Sequence, residues 1–225
     1  MKCIKIFLSA LLVGGLLSAC ERDFESEGLV KGVIRYPSIS LNEGVSVLLV
    51  AGEEQYAERG AVALLGEDDI SNQLQISGTE NIDASTPGVY PVTYSVTITN
   101  ELGEPSTVSQ TRYVIVTSED ISNIDLSGNY LGSGFTANPG AVTVTKLGGG
   151  WYSIPDVLAS TNGISANFAH LGGDVILIPS QQSPWGSEIN STDNGAFATL
   201  TENGFTWAVD LDCCGLFGPI DFVKQ

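Results

Sequence analysis

Residues 89–99 read VYPVTYSVTIT and alternate with a period of two. Val92, Tyr94, Val96 and Ile98 fall on one face, and Thr93, Ser95, Thr97 and Thr99 on the other. An α-helix repeats every 3.6 residues, so this pattern fits an extended strand with one packed face and one wet face. Residues 100–105 (NELGEP) supply a turn, and residues 107–117 (TVSQTRYVIVT) return as a second long strand. The rest of the chain follows suit. Further strands are expected at 45–50, 61–65, 128–135, 141–146, 151–154, 174–178, 196–201 and 205–211. No window carries a convincing helical stripe, and residues 155–159 could form at most one helical turn. Twenty-six glycines punctuate these runs, as tight turns between short strands require. The fold class is therefore all-β.

Polar breaks divide the chain. Residues 29–118 form one β-domain, residues 119–125 (EDISNID) a short linker, and residues 126–225 a second β-rich domain. Strands about ten residues apart, with turns between them, indicate a sandwich for the first. The second reads as a small antiparallel β-barrel or sandwich. With 43% hydrophobic and only 16% charged residues, the chain can build real cores.

The N-terminus is organised differently. Lys2 and Lys5 precede an apolar run at 6–17, and Ser18 and Ala19 precede Cys20. That order is the plan of a cleavable signal, and the run is shorter than the roughly 20 residues a membrane span needs. Leu17-Ser18-Ala19-Cys20 resembles the bacterial lipobox, in which the cysteine is acylated and becomes the first mature residue. The resemblance implies a signal peptide over 1–19 and lipidation at Cys20. Residues 20–28 then form an acidic tether, similar to the surface-export signal of Bacteroidota lipoproteins. It implies lipid anchoring in the outer membrane with display at the cell surface.

Charge narrows the partners. The formal net charge is −17, and it becomes −19 once Lys2 and Lys5 depart with the signal. Phosphate backbones need clustered Lys and Arg, so no nucleic-acid partner is expected. Anionic lipid repels such a chain too, so the membrane contact runs through the acyl anchor.

Several segments carry a family likeness: Ile34 to Pro37 (IRYP), Ala57 to Val62 (AERGAV), Asp83 to Tyr94 (DASTPGVYPVTY) and Arg112 to Val116 (RYVIV). Together they resemble the immunoglobulin-like domain found near the N-terminus of bacterial surface lipoproteins. The cysteine pair and core tryptophan of antibody domains are missing. Residues 125–132 (DLSGNYLG) and 142–156 (VTVTKLGGGWYSIPD) are similar to the C-terminal domain that follows this module in lipoproteins of Bacteroidota polysaccharide-utilisation loci. The resemblance implies an N-terminal immunoglobulin-like sandwich, a C-terminal antiparallel β-domain, and a setting in glycan acquisition.

Catalytic chemistry finds little support. His170 is the only histidine, and no Gly-x-Ser-x-Gly elbow or phosphate-binding glycine loop occurs. One histidine and the adjacent Cys213 and Cys214 cannot make a standard zinc site. Adjacent cysteines also bridge badly, because Cα atoms 3.8 Å apart fall below the usual disulfide range. Carboxylates are plentiful, and two at the right spacing would suffice for a glycosidase. No cofactor is expected: Glu67-Asp68-Asp69 and Glu119-Asp120 with Asn123 and Asp125 are oxygen-rich enough to consider a structural calcium ion, but neither has EF-hand spacing, and turn or cap carboxylates are the favoured reading.

Aromatic residues carry the binding expectation. Trp151 and Tyr152 follow three glycines, and Trp185 sits in a Ser-Pro-Trp-Gly loop with Gln181, Gln182, Asn190 and Asp193 nearby in sequence. An indole can stack on a sugar while amides bind its hydroxyls. Candidate ligand-binding residues are Trp151, Tyr152, Trp185, Gln182 and Asn190; burial in the core is the competing reading for Trp151 and Trp185, and core is expected for Trp207. Three functional readings follow: a non-catalytic surface lipoprotein that binds a glycan or an outer-membrane protein partner in polysaccharide acquisition, a structural or adhesin-like surface protein, and a small glycoside hydrolase. The anchor has a direct test. Cys20→Ala is expected to abolish acylation and shift the protein from the membrane to the soluble fraction; continued membrane association contradicts the lipobox.

Overall fold

Period-two alternation puts Val92, Tyr94 and Val96 on one side of a long strand, and the computed structural model buries all three. It describes residues 36–99, 103–134, 139–160 and 163–225. The signal, Cys20, the tether and the start of the expected first domain lie outside them. The described strands belong to one compact unit, Tyr36–Ile98 with Pro105–Gln225.

The first half is a two-sheet sandwich. Strands β1 (Pro37–Leu41), β3 (Ala61–Leu65) and β4 (Asp68–Asp69) form one sheet in the order β1-β3-β4. Strands β2 (Ser46–Val50), β5 (Gln75–Ser77), β6 (Gly88–Thr99) and β7 (Pro105–Thr117) form the other, in the order β2-β7-β6-β5. The strand β2 runs parallel to β7, with Ser46 opposite Tyr113 and Val50 opposite Thr117. Ile39, Val47, Leu49, Ala63, Val114 and Val116 join the three β6 residues in the core between the sheets.

Arg112 lies inside this sandwich, fully buried. A buried guanidinium is tolerable only when its donors are matched. Here they reach the carbonyls of Asn42, Gly44 and Gly60, the Tyr94 hydroxyl at 2.6 Å and the Glu58 carboxylate at 3.4 Å. Burial by itself would raise the Glu58 carboxyl. Hydrogen bonds from Tyr94, the Gly60 amide and Tyr56, together with the Arg112 charge, outweigh it and hold the group below its ordinary 4.5.

The second half is a closed barrel. Its strands are β8 (Gly128–Ser133), β9 (Gly140–Gly148), β10 (Trp151–Ile154), β11 (Ala166–Gly172), β12 (Val175–Leu177), β15 (Phe197–Thr201), β16 (Gly204–Leu211) and β17 (Gly215–Lys224). Each pairs antiparallel with its neighbour in chain order, and β17 closes the ring onto β8. Two short strands, β13 (Gln181–Gln182) and β14 (Glu188–Asn190), extend the sheet from the edge of β16. An eight-stranded barrel has an interior just wide enough to be filled by side chains or to hold one small ligand. Aromatic rings fill this one. The Phe205 ring lies 4.7–5.7 Å from the rings of Tyr130, Phe168, Trp207 and Phe222. The 155–159 segment forms a turn rather than a helical turn: the Asp156 carboxylate accepts the Leu158 and Ser160 amides. It buries Val157 and Leu158 in the barrel core, and the Val157 carbonyl takes the indole N–H of Trp207 at 2.8 Å.

Cys213 and Cys214 sit in the β16–β17 turn and are bonded to each other, their Cα atoms 3.8 Å apart. Chain spacing disfavours this bridge without excluding it. The bridge closes within a reversing loop, where Cys214 N–H bonds the Leu211 carbonyl at 2.9 Å and Gly215 adopts φ +89°.

The polar linker is packed down onto the barrel. Ile121 is buried. Ser118 N–H bonds the Leu171 carbonyl at 2.7 Å, and Glu119 accepts the Gly173 amide at 2.6 Å. Gly172, at φ +104°, permits that approach: a Cβ there would collide with Ser118 Oγ.

The Arg112–Glu58 network predicts an acid sensitivity. A carboxyl depressed in the folded state supports the fold above its unfolded value, and that support is lost as pH falls through the folded value. The melting temperature should therefore decline below about pH 4.5, and Glu58→Gln should make the decline shallower. Identical slopes for the two proteins in a pH series of thermal melts contradict this role.

Candidate functional site

Outward-facing residues of β9, β10 and β11 build a groove on the barrel wall. Along β9, Val142 and Val144 point into the core, so Thr143 and Thr145 point out. Ser153 on β10 pairs with Thr145 on one side and Asn167 of β11 on the other. Cross-strand neighbours place their Cβ atoms about 4.5–5.5 Å apart, so these polar groups form one continuous strip. Gln181 and Gln182 of β13 form a wall, and the open groove has a volume of about 460 Å³.

The Gln181 side chain acts as a substitute strand. Its Oε1 accepts the Asn167 amide at 2.8 Å, and its Nε2 donates to the Asn167 carbonyl at 2.7 Å. It thereby satisfies both backbone groups of a residue that β12 does not reach. Gln181 also borders a second cleft of about 190 Å³, where β6 and β7 of the sandwich meet the barrel at Trp151 and Pro179. The groove's lining holds hydroxyls and amides and no charged side chain. Ile154, Pro155 and Ala166 supply its apolar part, and the whole lining is uncharged on a protein of net charge −17.

The expected site residues separate into two groups. Gln182 lines the groove. Trp185 is 58% exposed on the turn between β13 and β14. That turn is closed by Ser183 N–H to the Ser187 carbonyl at 2.7 Å and carries Gly186 at φ +83°. Three residues reach about 10 Å at most, so Trp185 stays close to the Gln182 wall.

The others are structural. Trp151 is 1% exposed and stacks on Tyr113 at 4.4 Å. Burial in this contact also pushes the Tyr113 phenol up. Tyr152 is fully buried in the barrel core, its hydroxyl donating to the Ile124 carbonyl at 3.2 Å. Asn190, 4% exposed, organises its own loop: its Oδ1 accepts the Thr192 and Asp193 amides, both at 2.9 Å. Trp207 lies in the core, as its strand pattern indicates.

Chain reading missed Thr143, Thr145, Ser153 and Asn167. The signal was available, since the outward positions of β9 are threonines in an otherwise apolar alternation.

The remaining chemistry is equally placed. His170 is buried, with Nε2 3.0 Å from the Gly173 carbonyl oxygen. Both thiols are engaged in the Cys213–Cys214 bond. Among the described residues, no three His, Cys, Asp or Glu side chains converge as a metal site. The carboxylates of the two acidic clusters cap turns: Asp69 accepts the Ser71 amide, Asp120 that of Ser122 and Asp125 that of Ser127, each at 2.8 Å.

Residues 39–116 match the family model described as a bacterial surface protein, Ig-like domain. That span coincides with the two-sheet sandwich, so the N-terminal half is immunoglobulin-like and the chain as a whole is all-β. Among solved structures, the lipoprotein BT2262 from Bacteroides thetaiotaomicron is similar at 21% identity, over 84% of this chain and 100% of that one, with a TM-score of 0.36. No curated protein matches the sequence.

Proposed function

We propose that this chain is a non-catalytic, lipid-anchored accessory protein of a bacterial outer-membrane surface that binds a neutral glycan in the barrel-wall groove, in the service of polysaccharide acquisition. The observation that carries the reading is the uncharged strip of Thr143, Thr145, Ser153 and Asn167, walled by Gln181 and Gln182, on a strongly acidic molecule. Hydroxyl and amide groups on a rigid sheet match sugar hydroxyls, and Trp185 offers an indole face near the rim. The match of residues 39–116 to a bacterial surface domain supports the location, as does the lipobox at Cys20. The sandwich then acts as a spacer between the tether and the barrel.

A second reading rests on a different feature. The strand β5 lies at the end of its sheet, is exposed along its length, and presents Ile76. An open strand edge of this kind can accept a strand from a protein partner.

A glycan array probed with the full mature protein tests the proposal. The wild type should retain a neutral oligosaccharide. Thr145→Arg, which fills the groove with a charged side chain, and Trp185→Ala should each weaken binding tenfold or more, about 1.4 kcal/mol. Absence of any retained glycan, or binding indifferent to both variants, contradicts the groove. Co-purification of an outer-membrane protein, lost when Ile76 is replaced by Lys, would favour the edge instead. Polysaccharide turnover lost on replacing a single carboxylate would favour hydrolysis.

A further inference from the structure

Asp210 lies on the outer side of β16, 4% exposed, and one of its carboxylate oxygens, Oδ1, has no hydrogen-bond partner. Its Oδ2 accepts from the Asn194 amide at 2.7 Å, which directs the carboxylate into the loop that follows β14. An isolated buried carboxylate is costly to maintain unless a cation or several donors compensate it. No described residue supplies such a cation. Among the described residues there are four Lys and Arg side chains. Arg59 pairs with Glu43 and Arg112 with Glu58, while Lys146 pairs with Asp125 and Lys224 donates to the Asp125 carbonyl.

A second carboxylate lies in the same loop. Asn190 is the cross-strand neighbour of Asp210, and its Nδ2 donates to Asp193 Oδ2 at 3.0 Å. Asp193 and Asp210 thus each have one oxygen held by an asparagine amide, from Asn190 at the end of β14 and Asn194 in the loop after it. Two carboxylates, one buried on β16 and one on the adjoining loop, supply anionic oxygens of the kind a hard cation takes.

We propose that the loop after β14 and the Asp210 position of β16 form a calcium site, with Asp210 Oδ1 and the Asp193 carboxylate as its charged ligands. Calcium takes six to eight oxygens, so loop carbonyls, amide oxygens and water complete the shell. Two charges make a weak site, in the roughly 10⁻⁴–10⁻³ M range typical of extracellular modules. The ion would tie the β14–β15 connection to β16. This site is separate from the glycan groove and does not depend on it.

Calorimetric titration and thermal melts of the full mature chain, stripped with EDTA and then returned to chelator-free buffer, test the proposal. One Ca²⁺ should bind per chain, and 10 mM Ca²⁺ should raise the melting temperature by about 3–11 °C. Asp210→Asn should abolish both signals. Asp193→Asn, at an exposed position that leaves the fold intact, should weaken binding at least tenfold. The proposal is overturned by no calcium heat and no melting shift. It is equally overturned if Asp193→Asn keeps the full shift, or if Mg²⁺ produces the same shift as Ca²⁺, as general screening of an acidic surface would.

Discussion

The ring of Tyr113 lies against the indole of Trp151, and the junction of the molecule is built around that contact. Tyr113 and Ile115 belong to the face of β7 that points away from the sandwich core. Trp151, Ala169 and Leu171 belong to the outer wall of the barrel. Together they form a third apolar cluster, with Leu48, Val89 and Leu177 packed at its margin. The C-terminal part of β7 is therefore packed on both faces: Arg112, Val114 and Val116 inward, Tyr113 and Ile115 against the barrel. Each packed aromatic removes about 150–250 Å² from water, so a stack of two is a substantial anchor for a junction of this size. The linker hydrogen bonds from Ser118 and Glu119 hold the chain at the same place.

That junction covers part of the barrel's outer wall. The barrel interior is filled by Tyr130, Tyr152, Phe168, Phe205, Trp207 and Phe222 as one aromatic cluster. Much of the wall at β10 and β11 is taken by the sandwich. The polar strip on β9, β10 and β11 lies beside that contact, and Gln181 borders both the groove and the cleft at the junction.

Much of this was legible in the chain, for reasons that individual residues make plain. The β6 strand is half-buried in a single sheet, so its alternation shows directly, and Trp207 follows the same logic in β16. The β11 strand escaped because NFAHL is buried on both faces, and two-sided burial erases alternation. The run Tyr113-Val114-Ile115-Val116 carried the same hint of a second packed face. Trp151 after a glycine turn was ambiguous by nature: the same position can be a loop platform or the first buried residue of a strand. The β17 strand contains Gly218 and Pro219, which argue against a strand from sequence alone, yet pairing with both β16 and β8 carries it. The roles of Gln181 and Asp210 depend on contacts across many residues, which no local pattern encodes.

Heteronuclear NMR relaxation on the mature protein tests the shared packing of the two domains most directly. If the Tyr113–Trp151 cluster joins them as described, backbone amides of β1–β7 and of β8–β17 report one common rotational correlation time. Two distinct and shorter times, one for each domain, would contradict the account.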